Sequence, residues 1–319
     1  MTVKQVKDFL KHDVRIGRNV SDLPKLRTMK SDLEVKPYED HVPPEAKPTV
    51  LFMICSIFHD LFQKNPKLTS EELIETLSDF DLIMARNPLK NILCCDRYDN
   101  WVLNAYRPIK DGPLLIERSE SYETNPGSIG MQFKHAMVNK SLYHRVYAIH
   151  DVKLNELHIA LSGALDCVDD DGEIVALKTK PSWANPLRND RDVDSLLQAK
   201  LGGTTSMVIG QFSAPRGQKQ GPVMFKQSNI QKFNIDDYPN KLVSQKAELR
   251  LRSCHKLLQA IVKKCPKNSV IYQVSGRGYN CARIIVEENV VDETQLPISQ
   301  TVINCAKAIA GETTPIMIE

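Results

Sequence analysis

The sequence predicts an α/β (α+β) fold in which mixed β-sheets are surrounded by helices. Three observations predict it. The chain has 319 residues, long enough to bury a substantial core. Its hydrophobic fraction of 42% and charged fraction of 25% are ordinary globular values and exclude disordered and collagen-like classes. Strand-like runs rich in Val, Ile and Leu are mixed with helical patterns, without regular strand–helix alternation.

Taken in order, residues 1–48 are polar and broken by Pro24, Pro37, Pro43, Pro44 and Pro48, so they read as an irregular arm before a single domain over 49–319. A helix is expected over 49–63; its apolar run Val50–Phe58 is too short for the roughly 20 residues a membrane span needs. Thr69-Ser-Glu-Glu72 is a capping box, followed by Leu73, Ile74, Leu77 and Phe80 at helical spacing. Strands are expected at 91–95 and 101–106 around a turn at 96–100. Asn125-Pro126 offers an N-cap and an N1 proline for a helix to residue 139, with Ile129, Phe133 and Met137 buried. Further strands are expected at 142–150, 157–167, 173–180, 206–212, 270–274 and 282–286. A long helix over 240–264 would bury Val243, Ala247, Leu251, Cys254, Leu258 and Ile261.

Net charge is only +3, but it is a sum of unlike parts. Residues 212–264 carry eleven Lys/Arg and three Asp/Glu, residues 1–30 carry eight and three, and residues 285–319 carry one lysine and six acids. That distribution admits a polyanionic partner. The cysteines at 55, 94, 95, 167, 254, 265, 281 and 305 form no C-x-x-C pair and suit reduced thiols. With MTVKQVKDFL lacking the apolar core of a signal peptide, the expected location is nucleus and/or cytosol, with no membrane partner.

The chemistry is concentrated in Leu157–Lys180, LHIALSGALDCVDDDGEIVALKTK. Two strands flank VDDDGE, whose Asp171-Gly172 signals a hairpin turn. Alternation puts Ala164 and Asp166 on one face of the first strand, and Ala176 and Lys178 on one face of the second. Asp166 and Lys178 are therefore expected over one surface, like the nuclease core in which Asp and Glu-x-Lys lie on adjacent strands and hold divalent metal against a phosphodiester. An exposed hairpin bearing ordinary charges is the competing reading.

The pair Ser162-Gly-Ala-Leu-Asp-Cys167 and Ala176-Leu-Lys-Thr179 resembles a motif pair of the DXO/Rai-type decapping exoribonuclease family, and weaker similarities flank it in the right order. These are Met84-Ala-Arg86-Asn87 with the region through Trp101 to Arg107, Gly130-Met-Gln-Phe-Lys134, and Ser195-Leu-Leu-Gln198 before Leu201-Gly-Gly203 and Met207–Gly210. The resemblance covers about residues 80–212. It implies mixed sheets around a pocket for an RNA 5′ end or nucleotide, and Mg²⁺- or Mn²⁺-dependent removal of defective caps and 5′–3′ digestion; an exoribonuclease partner belongs to the alternative in which the chain is a scaffold. It further implies that Asp166, Lys178 and Gln198 are catalytic, that Arg86, Lys178 and Gln198 bind substrate, and that Asp166 and the Leu177 backbone carbonyl ligate metal; Lys134 is expected to bind substrate through its own charge, as a departure from the family.

Three departures oppose catalysis. Lys134, Ala164 and Ala176 stand where the family has glutamates. A hard cation wants several oxygens, and a lysine in their place repels it or pairs with Asp166 or phosphate. The expected function is therefore a degenerate RNA-5′-end or nucleotide binder with weak or no hydrolysis. The alternatives are an active enzyme with rearranged ligands and a non-catalytic scaffold. Ser275-Gly-Arg-Gly278 reads as a hairpin turn and Gly202–Thr205 as a helix-to-strand loop, and the eight histidines show no metal spacing.

Overall fold

The structure, a computed structural model, describes residues 10–17, 23–29, 31–35, 53, 54, 57, 61, 65, 67, 69–93, 100–107, 112–118, 128–139, 146–182, 190–213, 223–267, 270–277 and 283–290. Its strands are β1 (Leu10–Gly17), β2 (Leu33–Val35), β3 (Leu82–Ala85), β4 (Asn100–Tyr106), β5 (Leu114–Arg118), β6 (Val146–Leu154), β7 (Leu157–Leu165), β8 (Cys167–Val168), β9 (Ile174–Pro181), β10 (Ser206–Phe212), β11 (Val223–Phe225), β12 (Ile230–Asn234), β13 (Val270–Arg277) and β14 (Arg283–Val290). The α-helices among the described residues are α1 (Ser70–Ser78), α2 (Arg86–Leu93), α3 (Ile129–Ala136), α4 (Asp190–Leu201) and α5 (Lys241–Lys264).

The strands form an eight-stranded sheet in the order β1-β6-β7-β3-β5-β4-β13-β14, a four-stranded sheet β12-β10-β9-β8, and the pair β11-β2. β3 runs parallel to both β5 and β7, and β9 parallel to β10, while the other pairs are antiparallel. The expected mixed sheets are present. β6 and β7 turn over Asn155-Glu156, where Asn155 takes a positive φ of 55°, as short turns of this kind require.

Each face of the large sheet is covered. On one side Leu82, Met84, Ile159 and Leu161 pack with α2, α4 and α5 residues in the main core. On the other, Ile83, Leu115 and Ala160 meet Met53, Ile54, Ile57, Leu77 and Phe80. Burial on both faces is why β3 reads as a continuous apolar run. A third cluster lies under α3, where Phe133 meets Val175, Leu177, Val208 and Phe225 of the smaller sheets.

Local sequence explains the helices. At α1 the Thr69 hydroxyl accepts from the Glu72 amide while Glu72 accepts from the Thr69 amide, the reciprocal capping box. α5 is capped by Asn240, whose side-chain oxygen accepts from the Leu242 and Val243 amides, and all six of its expected core residues are buried.

Four expectations need correcting. Two stretches of the supposedly irregular arm are strands, β1 on β6 and β2 on β11. Residues 91–93 of the strand expected at 91–95 are instead the end of α2, where Leu89, Ile92 and Leu93 recur at helical spacing and are buried, and 94–95 lie outside the described residues. α3 is capped by Ser128, whose hydroxyl accepts from the Met131 amide, and starts three residues later than the proline suggested. Ser275-Gly-Arg277 continues β13, because Gly276 lets the Trp101 indole lie against the strand where a Cβ would meet it at 2.4 Å. The helix expected at 49–63, the turn at 96–100 and the acidic end beyond 290 lie largely or wholly outside the described residues. Among the described residues no helix is long and apolar enough to cross a membrane, and Cys167, Cys254 and Cys265 are buried and not in disulfides.

Candidate functional site

The site forms where the chain leaves one sheet for the other. β7 ends at Leu165 in the large sheet, and β8 begins at Cys167 in the small one, pairing Cys167 with Val175 of β9. Asp166 is the joint. β9 continues past this divergence and its Leu177 amide loses the neighbour that a longer hairpin would supply. The Asp166 carboxylate takes that place: its Oδ2 accepts from the Leu177 N–H at 2.9 Å. Asp166 and Lys178 therefore do not share one uninterrupted hairpin surface as alternation suggested. The β8–β9 turn is local: Gly172 takes φ 82°, and Asp169 Oδ1 accepts from the Asp171 and Glu173 amides. Asp169 Oδ2 pairs with Lys232 at 2.7 Å, so this acidic residue builds a turn and an ion pair.

Lys134 arrives from α3. That helix lies across β9 and β10: a Cβ on Gly130 would touch the Thr179 hydroxyl at 3.5 Å, and a Cβ on Gly210 would overlap the Phe133 ring at 2.5 Å. Phe133 is fully buried and stacks obliquely on Phe225 at 4.7 Å between ring centres. With Phe133 seated, Lys134 falls over the joint, and its Nζ donates to Asp166 Oδ1 at 2.5 Å. Lys134 and Asp166 thus form an ion pair at the joint.

Lys178 projects from the same face of β9 as Ala176, toward α4, and its Nζ donates to Gln198 Oε1 at 2.9 Å. The face assignment from alternation holds here: Ala176 belongs to the main core, Val175 and Leu177 to the cluster under α3. Two residues on, Lys180 pairs with Asp192 of α4 at 3.1 Å, and the Tyr238 hydroxyl donates to the same carboxylate oxygen.

Arg86, at the start of α2, ties these parts together. Its guanidinium donates to the carbonyl of Ala164 at 2.9 Å and to that of Gln198 at 3.4 Å. It fits because Gly163 and Gly202 have no side chains: a Cβ at either would approach it to 3.1 or 2.6 Å. The structure thus engages Arg86 with the backbone beside Asp166 and with the backbone of Gln198. Lys90, one helical turn further along α2, is not evident from the sequence, because reading 91–95 as a strand hides the i,i+4 spacing of Arg86 and Lys90.

Electrostatics follow from this crowding. Burial alone pushes the Asp166 carboxyl up, but the cations of Lys134 and Lys178, with hydrogen bonds from Lys134 and the Leu177 amide, hold it below its ordinary value. Lys178 is pushed down to about 7, first by burial and then by Lys134, with Asp166 opposing and Arg86 and Lys90 adding to the fall. The Cys167 thiol is pushed up to about 12, mainly by burial, so it is an inert core sulfur.

A divalent ion fits this set poorly. Magnesium and manganese want about six hard ligands, mostly oxygen. Among the described residues the site supplies the Asp166 carboxylate, both oxygens of which are engaged, with alanines at 164 and 176 and ammonium groups from Lys134 and Lys178 close by. No group of three His, Cys, Asp or Glu side chains among those residues is placed to hold a metal ion. At Leu177 the group engaged with Asp166 is the backbone amide, which donates to the carboxylate.

No protein-family model and no curated protein matches this sequence. Solved structures do. Scheffersomyces stipitis Rai1, in complex with (3′-NADP)+ and calcium ion, is 14% identical with a TM-score of 0.66, over 94% of this chain and 96% of that one. Candida albicans Rai1, in complex with pU5-Mn2+, is 12% identical with a TM-score of 0.62, over 93% and 95%. S. pombe Rai1, in complex with 3′-FADP, is 15% identical with a TM-score of 0.54, over 88% and 95%. This chain has the Rai1 fold over about nine-tenths of its length.

Proposed function

We propose that this Rai1-fold protein binds a phosphorylated RNA 5′ end or nucleotide and hydrolyses it weakly or not at all. One observation carries the reading: the Lys134–Asp166 ion pair occupies the joint where the resemblance puts a metal site, beside alanines at 164 and 176. Lys134, Lys178 and Gln198 would bind phosphate oxygens, while Arg86 would hold the backbone that positions Asp166 and Gln198. Asp166 would orient Lys134 rather than activate water. The ligand class is supported by the fold and by the molecules carried by the similar structures, pU5 in one and 3′-FADP in another.

The test pairs a binding assay with a turnover assay, using 5′-monophosphate, 5′-triphosphate and capped RNA with Mn²⁺ present. Binding is expected without detectable product. Turnover comparable to a Rai1 protein would overturn the loss of catalysis and favour an active enzyme with relocated ligands. Absence of any salt-sensitive RNA affinity would instead favour a scaffold.

A further inference from the structure

We propose that the Lys134 ammonium is a resident cation standing in for a divalent metal, so that this pocket captures a phosphate group with no metal bound. The inference deepens the nucleotide-end reading and rests on it for the class of ligand.

The position of the ammonium is built. Ser128 caps α3, Gly130 seats it on Thr179, and Phe133 is locked into the space that Gly210 leaves, so the next side chain is delivered to Asp166. Its side chain is 24% exposed and that of Asp166 is 12% exposed. The pair is therefore sheltered yet open to a ligand. An ammonium carries three donors, and the bond to Asp166 uses one. Lys178 likewise gives one to Gln198, whose amide nitrogen is a further donor.

Charge points the same way. A metal held by several carboxylates would leave a site near neutrality. Here Asp166 is balanced by its pairing with Lys134, Lys178 adds positive charge beside it when protonated, and Arg86 and Lys90 extend that positive surround to Lys178. An incoming dication meets repulsion, and an oxyanion meets donors already in place. Restoring single carboxylates would not undo this, because the ammonium would still occupy the Asp166 oxygen.

The experiment measures binding of a fluorescent 5′-monophosphorylated oligoribonucleotide, and of inorganic pyrophosphate, in EDTA and again with excess Mn²⁺. Affinity is expected to agree within about twofold between the two conditions. Lys134→Met should weaken both ligands by about tenfold in EDTA, Mn²⁺ should not rescue it, and Lys134→Arg should retain most of the affinity. Thermal melts of both variants check that they fold.

Manganese binding, read by electron paramagnetic resonance, should be absent from the native protein and from the Ala164→Glu/Ala176→Glu variant. It should appear when Lys134→Glu is added. RNA binding that EDTA abolishes overturns the inference while leaving the nucleotide-end reading intact, as does tight Mn²⁺ binding that Asp166→Asn removes. Pyrophosphate binding that depends on Lys134, with no RNA binding in either condition, upholds the inference and overturns that reading. If neither ligand binds, both fall.

Discussion

Lys178 is a base held among more cations than anions, and its behaviour with pH should report that. Burial and the charges of Lys134, Arg86 and Lys90 outweigh the attraction of Asp166 and bring its pKa from 10.5 to about 7. It is protonated at pH 6 and neutral at pH 8, so affinity for a phosphorylated ligand should fall as pH rises across that interval. The loss should approach the roughly tenfold worth of one charge-assisted hydrogen bond, read by fluorescence anisotropy at constant ionic strength. The stability effect has the opposite sign. Between pH 7 and 10.5 the unfolded lysine binds a proton that the folded one does not, so stability should rise with pH over that window. Lys178→Met should remove that rise in denaturant titrations. Strand alternation gave the face that Lys178 shares with Ala176, but not the break at Asp166, and Lys134 as a partner for Asp166 came from the resemblance and its charge. The clamp made by Arg86 was not legible in the sequence, since it depends on two backbone carbonyls brought together from positions 164 and 198.

Among the elements, α3 matters most to the site because it has almost no freedom to slide. Gly210→Ala tests this directly. The new methyl would overlap Phe133 at 2.5 Å and Phe225 at 2.8 Å, two packed rings rather than a flexible chain end. The expected cost is about 1–3 kcal/mol, typical of overpacking a filled core, measured by urea unfolding. Because the ring carries the next residue with it, ligand affinity should drop as well, although position 210 is not among the proposed ligand contacts. The capping box and the apolar face of α5 were readable because they are local patterns of hydrogen bonding and spacing. The end of the helix at 86–93 passes for part of a strand over 91–95 because its apolar run is short, and the helical spacing of Leu89, Ile92 and Leu93 becomes decisive once they are seen packed in the main core. The small and large sheets were invisible as separate sheets, because the separation is made at Asp166 by a change of pairing partner, not of composition.

For the molecule as a whole, the basic stretch in the sequence is less available than its count implies. Lys232 pairs with Asp169, Arg250 with Asp194 and Arg252 with Glu248, so these cations are partly spent on folding contacts. The proposed site beside Asp166, rather than a basic groove along α5, is the RNA path this reading expects. Binding should instead behave as a small number of phosphate contacts at the pocket. With about three such contacts, affinity for a single-stranded 5′-phosphorylated RNA should fall with salt at a log–log slope near about −2. A titration over increasing KCl measures it; a slope several times steeper would mean that the basic surface is engaged after all.

The joint between the two sheets has one more consequence. The Leu177 amide is protected from solvent by a side chain, not by a neighbouring strand. Its hydrogen-exchange rate is thus a single-residue clock for the state of the pocket: a ligand that steadies Asp166 should slow it, and Asp166→Ala should speed it while leaving β9 amides paired with β10 little changed. Occupancy of the pocket could then be followed at one backbone proton, with no label on the protein or the ligand.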